Sequence, residues 1–249
     1  MFKNIRLVRF LRSTVVSAVF AALCLGANVS PAEADQNCGL PSGSHCYSVA
    51  TYDNPDIIGV QFTITRGWLS VEQSAADPVG YSPPAHLNSE LWFAVDSNNW
   101  IEAGSRTEND LGQKLFFAQV NSTQGEIRTN LPYDLAIGTN ISDFWQITRN
   151  SATNNFDVAW STWPNSPSRV GTVSLPRWNA PYVTIGSEFQ GQSCSGSAAW
   201  GQAADMWVSM QTWSGLWQVP LNWDSQVNGQ GCAFTHSTPR AGEFKWSLN

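Results

Sequence analysis

Residues 144–160 read Phe-Trp-Gln-Ile-Thr-Arg-Asn-Ser-Ala-Thr-Asn-Asn-Phe-Asp-Val-Ala-Trp, and their spacing decides the fold class. Trp145 and Ile147 alternate with Gln146 and Thr148. After a break, Phe156, Val158 and Trp160 alternate with Asp157 and Ala159. A period of two places each apolar set on one side of an extended chain. The six residues between the runs, Arg149 to Asn154, are polar and rich in turn formers. Two alternating runs around such a segment predict a β-hairpin.

The same signature recurs along the chain. Gly59–Thr65, Glu90–Val95, Trp100–Gly104, Lys114–Val120, Tyr182–Phe189, Asp205–Thr212 and Phe244–Leu248 all read as strands. Segments rich in Gly, Asn, Ser and Pro separate nearly all of them, and apolar residues at helical spacing are scarce. Many short strands with turn signals between them predict an all-β chain, built as an antiparallel two-sheet β-sandwich or jelly roll. No internal repeat or linker divides it, so one domain is expected.

That domain begins after an export signal. Lys3, Arg6, Arg9 and Arg12 precede an uncharged, mostly apolar run from Ser13 to Val29, and Ala32-Glu33-Ala34 supplies the small residues of a cleavage site. These features predict a signal peptide over residues 1–34, a secreted extracellular product and a single β-sandwich domain over 35–249. Cys24 lies inside the apolar run behind Leu23, a position expected of signal-peptide filler. The run is short for a membrane span and no later segment is longer, so a membrane is not an expected partner.

Four of the five cysteines remain after cleavage: Cys38, Cys46, Cys194 and Cys232. An even number in an exported chain predicts two disulfides. Short loops cost less chain entropy to close, which favours Cys38–Cys46 and Cys194–Cys232. The first pair would staple an N-terminal loop, Cys38–Tyr47, ahead of the first strand. No Cys-x-x-Cys or paired histidine accompanies them, so zinc is not expected.

The formal net charge is −6, and losing four leader cations with Glu33 makes the mature part more acidic still. No basic cluster exists, which argues against nucleic acid and anionic lipid as partners. A monomer is expected. Asn121 and Asn140 open Asn-x-Ser/Thr sequons that matter only in a glycosylating host.

Two strands carry the candidate chemistry. In one, Trp100, Glu102 and Gly104 share a face opposite Ile101 and Ala103. In the other, Tyr182, Thr184, Gly186 and Glu188 share a face opposite Val183, Ile185, Ser187 and Phe189. A single glutamate in a strand is ordinarily a solvated outer-face group. Two in matching aromatic–glycine settings make Glu102 and Glu188 a candidate catalytic pair, with Trp100, Tyr182 and Thr184 beside them as substrate-binding candidates. His45, His86 and His236 are scattered at apparent loop or strand-edge positions, and no Gly-x-Ser-x-Gly elbow supports a serine triad. No metal-binding motif is present, so neither metal nor cofactor is expected.

Asn99-Trp-Ile-Glu-Ala-Gly104 resembles the Ile-Glu-Ala-Gly segment of the neprosin-type glutamic peptidases, and Ile185-Gly-Ser-Glu-Phe189 resembles their Gly-Gly-Glu-Val segment. Leu115-Phe-Phe117 and Asp143-Phe-Trp-Gln146 fall where that family has an apolar and a tryptophan-rich strand. The resemblance spans about residues 88–210, with a weaker similarity to the fungal glutamic peptidases. It implies a concanavalin-like sandwich in which Glu102 and Glu188 face each other across a concave sheet and hydrolyse peptide bonds in acid. One ionised carboxyl would activate water while its protonated partner served as acid.

Two alternatives stay open. A glycoside hydrolase also uses a carboxyl pair in an aromatic cleft, with polysaccharide as substrate. A lectin-like binding module would use the thirteen tryptophans and leave the glutamates idle. Many tryptophans, Trp92 and Trp207 among them, are equally well placed for a sandwich core. If the two glutamates fell on opposite faces, both enzyme alternatives would fail.

Overall fold

The computed structural model describes residues 45–67, 69–71, 86–108, 113–121, 124–134, 141–175, 181–190, 199–228 and 234–248. Sixteen strands run through them. The first eight are β1 (His45–Asp53), β2 (Ile57–Thr65), β3 (Leu69–Val71), β4 (His86–Asp96), β5 (Asn99–Glu108), β6 (Gln113–Asn121), β7 (Gly125–Asp134) and β8 (Ser142–Arg149). The second eight are β9 (Phe156–Thr162), β10 (Ser168–Val173), β11 (Tyr182–Gln190), β12 (Ala199–Thr212), β13 (Trp217–Gln218), β14 (Ser225–Asn228), β15 (Phe234–Ser237) and β16 (Glu243–Leu248).

They form two antiparallel sheets, and the all-β sandwich expected from alternation is what the chain adopts. One sheet has the order β14-β1-β11-β4-β5-β6-β7 and the other the order β10-β9-β8-β2-β12-β16-β15, with β3 and β13 pairing β12. The hairpin over residues 144–160 is β8 and β9, with Trp145 opposite Trp160 and Ile147 opposite Val158. Asn154 ends its loop at φ 61°. Asparagine tolerates that left-handed conformation better than most residues.

The core lies between the sheets and follows the alternation. Val60, Phe62 and Ile64 of β2 meet Leu91, Phe93, Ile101, Val183 and Ile185 from the other sheet in one buried cluster. Phe93 packs edge-on against Phe156 across the interface, at 5.4 Å between centroids. Phe62 stacks on Trp145 within its own sheet, at 6.3 Å. Such ring pairs add to the burial of apolar area that drives folding.

The tight β4–β5 connection fixes the register on which the site depends. Asp96 accepts hydrogen bonds from the Asn98 backbone N–H and from Asn99 Nδ2, both at 2.8 Å. The turn sets Trp92 opposite Glu102 and Glu90 opposite Gly104.

Several expectations need correction. Strands β1, β3, β7, β10, β13, β14 and β15 were not anticipated, because their sequences alternate weakly or are short. The end of the expected stapled loop, His45 to Tyr47, is instead the start of β1. His86 is a buried residue of β4 rather than a loop group, and the Arg106 guanidinium lies 3.0 Å from its Nδ1. Trp207 is 36 % exposed and so is no core residue, while Trp92 is buried on the face turned away from the main core. The leader, Cys38, Cys194 and Cys232 lie outside the described residues.

Gly186 carries a structural demand that no other residue meets. Its φ is +152°, and an added Cβ would collide with the Ser48 carbonyl oxygen and approach Val49 Cα at 2.8 Å. Gly186→Ala should lower the free energy of unfolding by about 2–4 kcal/mol. Urea denaturation of the two proteins measures this directly.

Candidate active site

Four rows of side chains cross the face of the seven-stranded sheet that points away from the main core. In the first, Trp100, Ala94, Tyr182 and Asp53 stand opposite one another on β5, β4, β11 and β1. The second holds Glu102, Trp92, Thr184 and Thr51. The third holds Gly104, Glu90, Gly186 and Val49. The fourth holds Arg106, Asn88, Glu188 and Tyr47. Trp100, Glu102, Tyr182, Thr184 and Glu188 therefore all lie on one face.

Glu102 and Glu188 are not solvated surface groups. Their exposures are 8 % and 6 %. Between them, on β4, stands Glu90 with no exposure at all. It is offset by one strand and two residues from each of the others, the diagonal relation that spans about 7–8 Å in an antiparallel sheet. Its neighbours in register are both glycine, so no side chain separates it from either flanking strand.

Each carboxyl has its own donor. Trp100 Nε1 donates to Glu102 Oε1 at 2.7 Å. The Tyr47 hydroxyl donates to Glu188. Asn88 Nδ2 donates to Glu90 Oε1 at 2.8 Å, whereas Glu90 Oε2 and Asn88 Oδ1 have no hydrogen-bond partner among the described residues. Tyr47 also packs edge-on against Trp92 at 6.3 Å, and the Thr51 and Thr184 hydroxyls share a 2.9 Å hydrogen bond. Tyr182 is buried beside this pair with its hydroxyl lacking a hydrogen-bond partner among the described residues.

An ionic bridge closes one side. Arg106 lies 2.7 Å from Glu108 and 3.6 Å from Glu126, while Arg128 lies 2.7 Å from Glu108 and 3.8 Å from Glu126. Glu126 and Arg128 belong to β7, two strands from β5, so these contacts pass over the intervening β6.

Burial dominates the electrostatics. It is the main reason Glu102 is pushed up to about 8, followed by the charges of Glu188 and Glu126; the Trp100 hydrogen bond and Arg106 work against the rise. Burial, then Glu102 and Glu188, raises Glu90 well above the usual carboxylate range, opposed by Asn88 and Arg106. The Tyr47 phenol is likewise raised, first by burial and then by Glu188 and Glu102, so it stays a neutral donor. Among the described residues no group of three His, Cys, Asp or Glu side chains is placed to hold a metal ion.

Sequence reasoning found Glu102 and Glu188 but missed Glu90, Asn88 and Tyr47. The signal for Glu90 was present: Asn88, Glu90 and Trp92 alternate with Ser89, Leu91 and Phe93. Starting the strand at Glu90 made that residue look like a terminus, whereas β4 begins at His86 and places it mid-strand. A cavity of about 480 Å³ lies elsewhere, on the outer face of the other sheet, beside Phe144, Trp163 and Trp207; none of the expected site residues lines it.

The β-sandwich is similar to that of a solved glutamic peptidase. The chain is similar to a crystal structure of Scytalido-glutamic peptidase with a peptide-based transition-state analog, with a TM-score of 0.54 and 12 % identity, covering 84 % of this chain and 100 % of that one. A functionally unknown protein from Saccharomyces cerevisiae matches 61 % of this chain and 64 % of its own at 14 % identity, with a TM-score of 0.36, too low to carry an argument. No family model and no curated protein matches the chain.

The raised carboxyls make stability depend on pH. A glutamate whose folded value exceeds its unfolded value binds its proton more tightly in the native state. Its stabilisation is complete below the unfolded value of 4.5 and is lost as pH rises through about 8. Unfolding free energy should therefore fall between pH 5 and 8, by up to roughly 1.4 kcal/mol per pH unit for each such carboxyl. Denaturant titrations over that range should show the slope, and Glu102→Gln should remove its share.

Proposed function

We propose that the protein is a secreted glutamic endopeptidase in which Glu188 acts as base and Glu102 as acid. The observation that carries this is the burial of both glutamates on one sheet face, each with a dedicated donor, in a fold similar to that of a glutamic peptidase. The finer likeness to the neprosin-type enzymes rests on the words around Glu102 and Glu188. Export rests on the leader over residues 1–34, and the two disulfides on the even cysteine count.

The chemistry follows from the two protonation states. Glu188, fixed by the Tyr47 hydroxyl, takes a proton from a water whose oxygen adds to the scissile carbonyl carbon. Glu102, which burial keeps protonated below about pH 8, passes its proton to the amide nitrogen, and the C–N bond breaks. Trp100 holds the Glu102 carboxyl in one orientation through the 2.7 Å hydrogen bond. Trp92 and Thr184 stand in the Glu102 row and Tyr182 in the Trp100 row beside it, and along these rows an extended polypeptide would lie. No serine or cysteine nucleophile enters the scheme.

An unstructured protein substrate incubated with the exported enzyme from pH 3 to 9 tests this. Cleavage is expected across acid and into neutral pH, with kcat/KM falling as pH rises through about 8. Glu102→Gln and Glu188→Gln should each lower kcat by roughly 10²–10⁴-fold with little change in KM. Intact substrate at every pH, or two variants that cleave like the parent, would overturn the assignment. A polysaccharide panel run alongside would reveal a glycosidase or lectin instead.

A further inference from the structure

We propose that Glu90 is a positioning residue that returns a proton from Glu188 to Glu102 between turnovers. The inference rests on the peptidase assignment and extends it. Hydrolysis by an acid and a base leaves both in the wrong state. Glu188 ends the cycle carrying a proton taken from water, and Glu102 ends it as a carboxylate. One proton must travel from one to the other, through solvent or by a fixed route, before the next substrate can react.

Glu90 occupies the position such a transfer needs. It is the diagonal neighbour of Glu102 on β5 and of Glu188 on β11, with Gly104 and Gly186 leaving no side chain between. One of its oxygens is held by Asn88. The other, Oε2, is fully buried and has no hydrogen-bond partner among the described residues, which is unusual for a native side chain. A purely structural carboxyl would be expected to satisfy both oxygens. The step balances: Glu90 gives its proton to the Glu102 carboxylate and takes one from protonated Glu188, directly or through one water. No net charge is created and no other reactant is consumed.

The surroundings favour a protonated Glu90 at rest. Glu102 and Arg106 face it from β5, Glu188 from β11, Tyr47 from β1, and Glu126 with Arg128 from β7. Arg106 pulls Glu90 down, and burial together with the two flanking glutamates outweighs it.

The test is Glu90→Gln, which matches the protonated acid in shape and keeps an acceptor for Asn88. Rapid mixing with an unstructured protein substrate should give a first turnover close to that of the parent, followed by a steady state at least roughly tenfold slower. Its kcat/KM profile should keep its alkaline limb where the parent has it, because Gln replaces a carboxyl that is already uncharged when Glu102 titrates. A variant without a burst, whether as fast as the parent or slowed equally in both phases, would overturn the relay. Carboxyl ¹³C NMR titration separates this from failure of the peptidase assignment, and it needs no substrate. The parent should show a Glu90 transition displaced upward by the ionised Glu102, and Glu102→Gln should remove that displacement. Independent transitions in the parent would overturn the coupling even if the variant failed to fold.

Discussion

Burying three carboxyls on one sheet face is the constraint to which the surrounding structure answers. A carboxylate moved out of water is costly unless it is paired, hydrogen-bonded or protonated. The chain uses all three remedies. Trp100, Tyr47 and Asn88 each give one donor to one glutamate. Arg106 supplies the nearby positive charge but spends much of it on Glu108 and Glu126. The rest of the cost is met by keeping protons, and so the fold is held more firmly on the acid side.

Much of this was legible in the amino-acid sequence because period-two alternation is a strong signal when one face is apolar. The Phe144–Trp160 hairpin, β5 and β11 all emerged from it, and the faces assigned to Glu102 and Glu188 are the faces they occupy. What escaped has a common cause. The alternation in β7 and β10 is weakened by polar residues on both faces, as in Arg128-Thr129-Asn130. The Asn88–Glu90–Trp92 set was hidden because both faces of β4 are buried, which blurs the contrast between apolar and polar positions. The proximity of Glu90 to Glu188 depends on the register of β4 with β11, which lies far along the chain, and register between distant strands leaves no local trace.

Similar sandwiches arise here from dissimilar sequences: at 12 % identity, the likeness to the solved glutamic peptidase covers 84 % of this chain. Sandwich packing tolerates exchange among apolar residues of similar volume, since the inner faces need to be filled rather than matched residue by residue. The outer face of the seven-stranded sheet has less freedom, because glycine at positions 104 and 186 is required by strand approach.

Strand β4 belongs to both regions at once. Ten of its eleven residues are buried, with Ser89, Leu91 and Phe93 toward the second sheet and Asn88, Glu90 and Trp92 toward the glutamates. Ser89 accepts a 3.3 Å hydrogen bond from Trp246 of the opposite sheet. Such a strand has no idle side on which substitutions could accumulate unnoticed: a change that refits the core moves the backbone that carries Glu90, and the converse holds. Any divergence in what the cleft accepts is therefore channelled away from its centre, to the ends of β5, β7 and β11 and the connections that join them.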